Sequence, residues 1–275
     1  VAVLEDLLPR LEGSGNEVRA IGVGAAGFVD FAAGAVTFSP NVVYDDPQIA
    51  TAVALRFGLP VFVDNDANAA LWGERTFGCC RVAEHAVMLT LGTGIGSGIV
   101  ANGELVRGAT GTGAELGHIV VDPSGPPCPC GLRGCLEQLA SGTAIARLAH
   151  IALGSNPDST IPAFAGPGGE ITGESVSKAA REYDQTARDV LRKAGTALGI
   201  GLSNVANVFD PEVIVLGGSV VNAGEPYLGA ARDQLALMTK AQRRRAMRLD
   251  VAALRGDAGL VGAAALAWTE TVDAA

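Results

Sequence analysis

Ala86-Val87-Met88-Leu89-Thr90-Leu91, Gly92-Thr93-Gly94-Ile95-Gly96-Ser97-Gly98 and Ile99-Val100-Ala101-Asn102-Gly103-Glu104-Leu105-Val106 run consecutively, and their reading decides the fold. The first run is mostly apolar and of strand length. A dinucleotide-binding fingerprint would need a helix after the glycines and an acid about twenty residues further on. The chain instead places Asn102-Gly103 between two apolar runs. That is a strong hairpin signal, because a type I′ turn requires positive φ at both central residues. The glycine segment 92–98 is therefore expected to join two strands. Its bare backbone would let several N–H groups converge on a phosphate, with the Thr93 and Ser97 hydroxyls as further donors. A plain flexible hairpin loop is the other reading.

Upstream, Leu4, Leu7, Leu8 and Leu11 fall at i, i+3, i+4 and i+7 and read as the end of a helix. Ala20–Gly24 reads as a buried strand, and Pro47–Phe57 as a helix with Pro near its first turn. Pro60–Val63 reads as a strand running into Asp64-Asn65-Asp66-Ala67-Asn68, and Ala67–Phe77 as a helix. This βαβα order favours a parallel sheet covered by helices. Downstream, Gly154–Gly173 reads as an irregular surface insertion. Two helical stretches come next, the second over Asp184–Val208. Glu212–Leu216 is then a strand ending in Gly217-Gly218, Glu225–Met238 a helix, Leu249–Leu254 a strand and Ala258–Thr269 a closing helix. The two halves share the later part of one element order, and the first lacks a counterpart to the opening hairpin of the second. Two domains are expected, 1–84 and 85–256, with the helix about 257–275 packing back on the first.

The 275 residues are 48% hydrophobic, enough for a sizeable core. Twenty basic against 29 acidic side chains give a net charge of −9, which argues against a nucleic-acid partner. Apolar stretches such as Gly259–Trp268 fall short of the ~20 residues a bilayer requires. Glu5 and Asp6 stand where a signal peptide would carry bases, so a cytoplasmic protein without a membrane partner is expected.

Four groups of residues carry chemistry. Cys128-Pro129-Cys130-Gly131-Leu132-Arg133-Gly134-Cys135, with His118 ten residues before Cys128, offers one imidazole and three thiolates. That is a closed, structural Cys₃His zinc set; three buried or redox thiols are the plainer possibility. Cys79 and Cys80 read as packing residues. The glycine loop is the second group. The third is Asp64-Asn65-Asp66, at the end of a strand where α/β sheets place ligand sites. A carboxylate there can accept a hydroxyl proton, although Asp and Asn are also good helix caps. The fourth is Glu115-Leu116-Gly117-His118 with Glu137. Glu carboxylates are acceptors suited to adjacent sugar hydroxyls, while Glu137 also fits as an acid at a helix start. The basic run Lys240, Arg243, Arg244, Arg245 and Arg248 reads as a solvated helix terminus rather than a polyanion site.

Together, Val63-Asp64-Asn65-Asp66-Ala67-Asn68, Leu91–Gly98, Gly113-Ala114-Glu115-Leu116-Gly117-His118, Cys128-x-Cys130-Gly131-x-x-Gly134-Cys135-x-Glu137 and Val215-Leu216-Gly217-Gly218-Ser219 resemble the ROK family of repressors, open-reading-frame proteins and sugar kinases. Within it they resemble the ATP-dependent bacterial glucokinases. The resemblance implies an actin-like (ribonuclease H-like) two-domain α/β kinase fold, with Asp66 as general base. It implies that Asn65, Asp66, Glu115, His118 and Glu137 hold the hexose, most simply glucose. Gly92, Thr93 and Gly94 would contact the phosphates of ATP, with Mg²⁺, and Gly217 and Gly218 would lie against the nucleotide. His118, Cys128, Cys130 and Cys135 would bind structural Zn²⁺, with one His118 ring nitrogen left for the sugar. A homo-oligomer, dimer or tetramer, is expected. A sugar-responsive repressor and a kinase for an N-acetylated hexosamine are the rival readings. Family members begin with a strand bearing an Asp-x-Gly-Gly-Thr-Lys-type phosphate loop, which the 275 residues do not contain. The expectation is an N-terminal domain lacking its opening strands, with phosphoryl transfer by this stretch impaired.

Overall fold

The computed structural model describes residues 2–15, 17–39, 42–239 and 247–273. Lys240, Arg243, Arg244 and Arg245 lie outside the described residues, and Arg248 opens a strand. The chain divides into two units: 1–82 with 104–114 and 253–275, and 83–103 with 115–252. The segment 104–114, expected with the second unit, thus groups with the first. Among the described residues no helix is long and apolar enough to cross a membrane.

In the first unit, helix α1 (Ala2–Gly13) precedes strand β1 (Ile21–Ala25). β1 pairs in parallel with β4 (Val61–Asn65), in register from Ile21↔Val61 to Ala25↔Asn65. Between them lie a hairpin of β2 (Phe28–Asp30) and β3 (Ala35–Phe38), and α2 (Ile49–Phe57). The hairpin carries no clear sequence signal, since its strands are too short to show a period. Its turn is held by Ala33 N, which donates to Asp30 Oδ1 (3.0 Å). Pro47 precedes the α2 N-cap residue Gln48 and so lies outside the first turn, where the sequence places it. α2 ends at Gly58 in the left-handed region, the usual C-terminal stop. Val63 packs with Ala25, Val29 and Val36 as one small core.

Helix α3 (Asp66–Phe77) packs against the closing helix of the chain, Ala258–Asp273, here α9. Ala69, Ala263 and Leu266 form the buried seam, flanked by Trp72 and by Leu105 of the two-residue strand β7 (Glu104–Leu105). The approach is close enough that a Cβ on Gly262 would lie 1.6 Å from the Ala69 carbonyl oxygen. Gly262→Ala is therefore expected to lower the melting temperature, with a cost of about 1–3 kcal/mol from overpacking. An unchanged melting temperature would mean that the helices separate freely. Glu74 of α3 is fully buried. Its Oε2 accepts from Cys79 N (2.9 Å) and its Oε1 from Leu254 N (2.7 Å), so one carboxylate fastens both the turn after α3 and the approach to α9.

The second unit is built on β5 (Ala86–Leu91), β6 (Ile95–Ala101), β8 (Val213–Gly217) and β9 (Arg248–Val251), in the order β6-β5-β8-β9. β5 and β6 are antiparallel, while β5–β8 and β8–β9 are parallel. Asn102 (φ 53°) and Gly103 (φ 78°) form the expected turn after β6. The helices are α4 (Leu136–Ala140), α5 (Gly142–Leu153), α6 (Gly173–Arg181), α7 (Gln185–Phe209) and α8 (Glu225–Met238). Tyr227 of α8 is wholly buried and donates to the Ala140 carbonyl (2.7 Å), joining α8 to the end of α4.

Three expectations need correction. β6 begins at Ile95, so the glycine loop is only Gly92–Gly94. β9 stops at Val251, one last bond from Ala252 N to Leu216 O (2.9 Å) follows, and Arg255–Asp257 then forms a 3₁₀ turn with Arg255 at φ 51°. The stretch 154–173 is irregular, with two 3₁₀ turns, but it is not merely superficial: Ile161 is completely buried.

Candidate active site

In the first unit the site is built at the step from β4 to α3. Asn65 is the N-cap: its Oδ1 accepts from Ala67 N (2.8 Å) and Asn68 N (3.2 Å), and its Nδ2 donates to the Gly27 carbonyl (3.1 Å). Asp64 is buried. Its Oδ1 accepts from Asn65 N (2.7 Å) and Asn68 Nδ2 (2.9 Å), and its Oδ2 pairs with Arg107 Nε (2.8 Å). The Arg107 guanidinium lies 3.7 Å from the Phe31 ring centroid, a cation–π contact that fixes it from the other side. Asp64 is thus committed to structure and Asn65 keeps a single donor. Asp66 is different. Its Oδ1 accepts from Ala67 N (2.9 Å), and the group makes no ion pair and no bond to another side chain among the described residues. The carboxylate reaches solvent on one side, while desolvation by the surrounding protein raises its pKa above the ordinary value. The backbone N–H groups of Ala67 and of Asp66 itself partly offset that rise. A carboxylate of this kind can accept a proton from a hydroxyl placed against it.

In the second unit the glycine loop turns within three residues. Gly92 N donates to the Gly94 carbonyl (2.9 Å). The start of α5 backs the loop: Gly142 N donates to Gly92 O (2.8 Å), and Thr143 Oγ1 to Thr93 O (2.9 Å). Ser97, expected as a phosphate donor, is instead buried in β6, where its Oγ accepts from Leu116 N (3.0 Å).

Glu115 and His118 flank a 3₁₀ turn over Leu116–His118, with Glu115 Oε2 3.9 Å from His118 Nε2. The other ring nitrogen, Nδ1, is 3.5 Å from Cys128 Sγ, and Cys130 Sγ is 3.6 Å from Cys135 Sγ. The four ligand atoms all lie within 4.8 Å of one another. Thiolates about 2.3 Å from a tetrahedral zinc ion stand about 3.8 Å apart, so this cluster fits such an ion. The CxCGxxGC spacing works because Gly134 sits at φ 66°, where an added Cβ would be 1.5 Å from Asp122 O. Burial, reinforced by the neighbouring thiols, pushes the Cys135 thiol up to about 12. A cation reverses that penalty.

Cys135 is also the N-cap of α4, so Glu137 stands in the first turn of that helix. Glu137 Oε2 accepts from Ile95 N (2.9 Å), where the glycine loop enters β6. The sequence contains both residues but no sign of this link.

A cavity of about 740 Å³ opens beside the loop, lined by Gly92, Thr93, Thr143, Arg181, Ser219 and Asn222 among others. Gly94, Gly217 and Gly218 do not line it. Gly218, at φ 85°, presses against β5, where an added Cβ would be 2.3 Å from Leu91 O. The cavity wall contributed by 170–174, Ser177 and Arg181 has no sequence signal, because it comes from the irregular stretch and the helix after it.

Residues 1–270 match the ROK family. The glucokinase of Thermotoga maritima is 38% identical over 253 residues, 92% of this chain and 80% of that one. A solved ROK family glucokinase from Streptomyces griseus, in complex with glucose and AMPPNP, is 38% identical with a TM-score of 0.83, covering 98% of this chain and 88% of that one. A putative xylose repressor from Caldicellulosiruptor is 30% identical over 270 residues, 96% of this chain and 66% of that one. The fold class is accordingly the actin-like α/β class expected from the sequence.

Proposed function

The chain belongs to the ROK family, and we propose that it is an ATP-dependent sugar kinase acting on glucose to give glucose 6-phosphate. The observation that carries the reading is the solvent-facing Asp66 carboxylate, held by backbone N–H groups alone, in a chain similar to glucokinases over more than nine-tenths of its length. Asp66 accepts the proton of the primary hydroxyl as that oxygen attacks the γ-phosphate. Asn65, Glu115, His118 and Glu137 hold the remaining hydroxyls. Backbone N–H groups of Thr93 and Gly94 face the phosphates, and the 740 Å³ cavity, of ordinary size for a small-molecule site, takes the nucleoside. Magnesium, bound with the nucleotide, supplies charge neutralisation on the transferred group. His118, Cys128, Cys130 and Cys135 hold one zinc, which fixes the chain between Glu115 and Glu137.

The test is a sugar panel read by calorimetry and by coupled ADP release. Glucose is expected to bind more tightly than mannose or N-acetylglucosamine and to be the preferred phosphate acceptor. Preference for an N-acetylated sugar would transfer the chain to the hexosamine kinases. A second reading, a sugar-responsive repressor, draws on the similarity to the xylose repressor. Sugar-dependent release from operator DNA, without ADP production, would favour it.

A further inference from the structure

Glu137 sits at the joint of two sites. Oε2 takes the N–H of Ile95 at 2.9 Å, and Gly94, the residue before it, has room only for hydrogen: a Cβ there would lie 2.4 Å from Oε2. The other oxygen, Oε1, has among the described residues only a long contact with Gln138 Nε2 (3.5 Å), which leaves it acceptor capacity for a ligand hydroxyl. The backbone repeats the connection. Glu137 O accepts from Ser141 N (3.2 Å), the Ser141 side chain caps α5, and Gly142 N at the start of α5 holds Gly92 O (2.8 Å). Two routes, one through the carboxylate and one through the α4–α5 corner, therefore lead from Glu137 to the two ends of the same three-residue loop. Helix α4 is five residues long and is capped by Cys135, so it is a short strut with little freedom to absorb a shift.

We propose that Glu137 is a positioning residue that couples the two substrates: a sugar hydroxyl on Oε1 and the phosphate loop on Oε2 share one carboxylate, so each ligand strengthens the binding of the other. The inference rests on the reading of Glu137 as a sugar contact and of Gly92–Gly94 as the phosphate loop. Sugar donation to Oε1 fixes the carboxylate against Ile95 N, which sets the loop before the nucleotide arrives. Linkage makes the effect reciprocal and equal in both directions.

The measurement is the affinity for magnesium AMP-PNP by calorimetry, with and without saturating glucose, together with the converse titration. The unsubstituted protein is expected to bind the nucleotide at least ~5-fold more tightly with glucose present, the lower end of ordinary coupling between sites. In Glu137→Ala the ratio should fall to one, and nucleotide affinity without sugar should itself drop. Gly94→Ala touches no sugar, yet by displacing the carboxylate it should weaken glucose binding as well as nucleotide binding, with metal content retained. Glu137→Gln can keep its carbonyl on Ile95 N, so it should preserve nucleotide affinity without sugar while losing both glucose affinity and coupling. This variant guards against a Gly94→Ala protein that fails to fold. A coupling ratio of one in the unsubstituted protein, or parental glucose affinity in folded Gly94→Ala, overturns the inference and leaves the kinase reading intact. Failure of the unsubstituted protein to bind glucose overturns both.

Discussion

In protein that phosphorylates glucose, Asp66→Asn is expected to bind the sugar nearly as well as the parent and to transfer phosphate about 10²- to 10⁴-fold more slowly, the range for removal of a general base. The local geometry makes the substitution a clean one. Asn keeps an oxygen for Ala67 N, which donates to Asp66 Oδ1, and it sits at the same first position of α3. What it removes is the ability of the carboxylate to take a proton. The pH dependence comes from the direction of the shift. Desolvation raises the Asp66 pKa, so the protonated, inactive form persists to a higher pH than for an ordinary carboxylate near ~3.9. The acid limb of kcat/KM should lie correspondingly higher. The stability linkage has the opposite sense to that of a paired carboxylate. Between the unfolded and folded pKa values the folded state holds more protons, so stability falls as pH rises through that window. Above it the folded protein bears the desolvation of a charged Asp66. Asp66→Asn should therefore melt no lower than the parent at neutral pH. A rate within a few-fold of the parent's would remove Asp66 from the base role, and a large loss of melting temperature would make it structural.

How much of the fold and site is legible in the sequence depends on how far apart the partners stand in the chain. Three cysteines within eight positions and a histidine ten residues upstream announce the cluster that the structure gathers within 4.8 Å, because its members are nearly contiguous. Asn102-Gly103 announces its turn for the same reason, since the conformation belongs to the two residues themselves. Asp66 is legible as a polar residue at a strand end, but the sequence does not separate it from Asp64. That separation is made by Arg107, 43 residues later, whose side chain commits Asp64 to an ion pair. Glu74 reads as an ordinary helix acid, and its second partner, Leu254, lies 180 residues away. Strand β6 looks shorter in the sequence than it is, because Gly96 and Gly98 remove the side chains on which a period-two pattern depends. The same glycines make Ser97 look like part of a loop, when its hydroxyl is spent on Leu116 N.

Loss of the metal is expected to be as damaging to sugar binding as loss of Asp66 is to catalysis, and Cys130→Ser is the substitution that shows it. Cys135 is wholly buried, so replacing it would confuse metal loss with damage to packing. Cys130 is exposed, and trimming its sulfur costs the core nothing. Any fall in melting temperature in Cys130→Ser thus reports the metal alone. The parent should carry about one zinc per chain, and the variant far less. Without the ion, His118 and the loop 128–135 lose their common anchor, and with them the placement of Glu115 before the cluster and Glu137 behind it. Disturbing even the outer partners of a metal site costs about 10- to 100-fold, so glucose affinity should fall by at least ~10-fold. Chelation of the parent should reproduce the loss and zinc should reverse it, whereas added zinc should not rescue Cys130→Ser. Elemental analysis that finds no metal in freshly purified, unchelated protein, or parental glucose affinity in the variant, would mean that the four ligands close the loop by packing and that the sugar pocket stands without an ion.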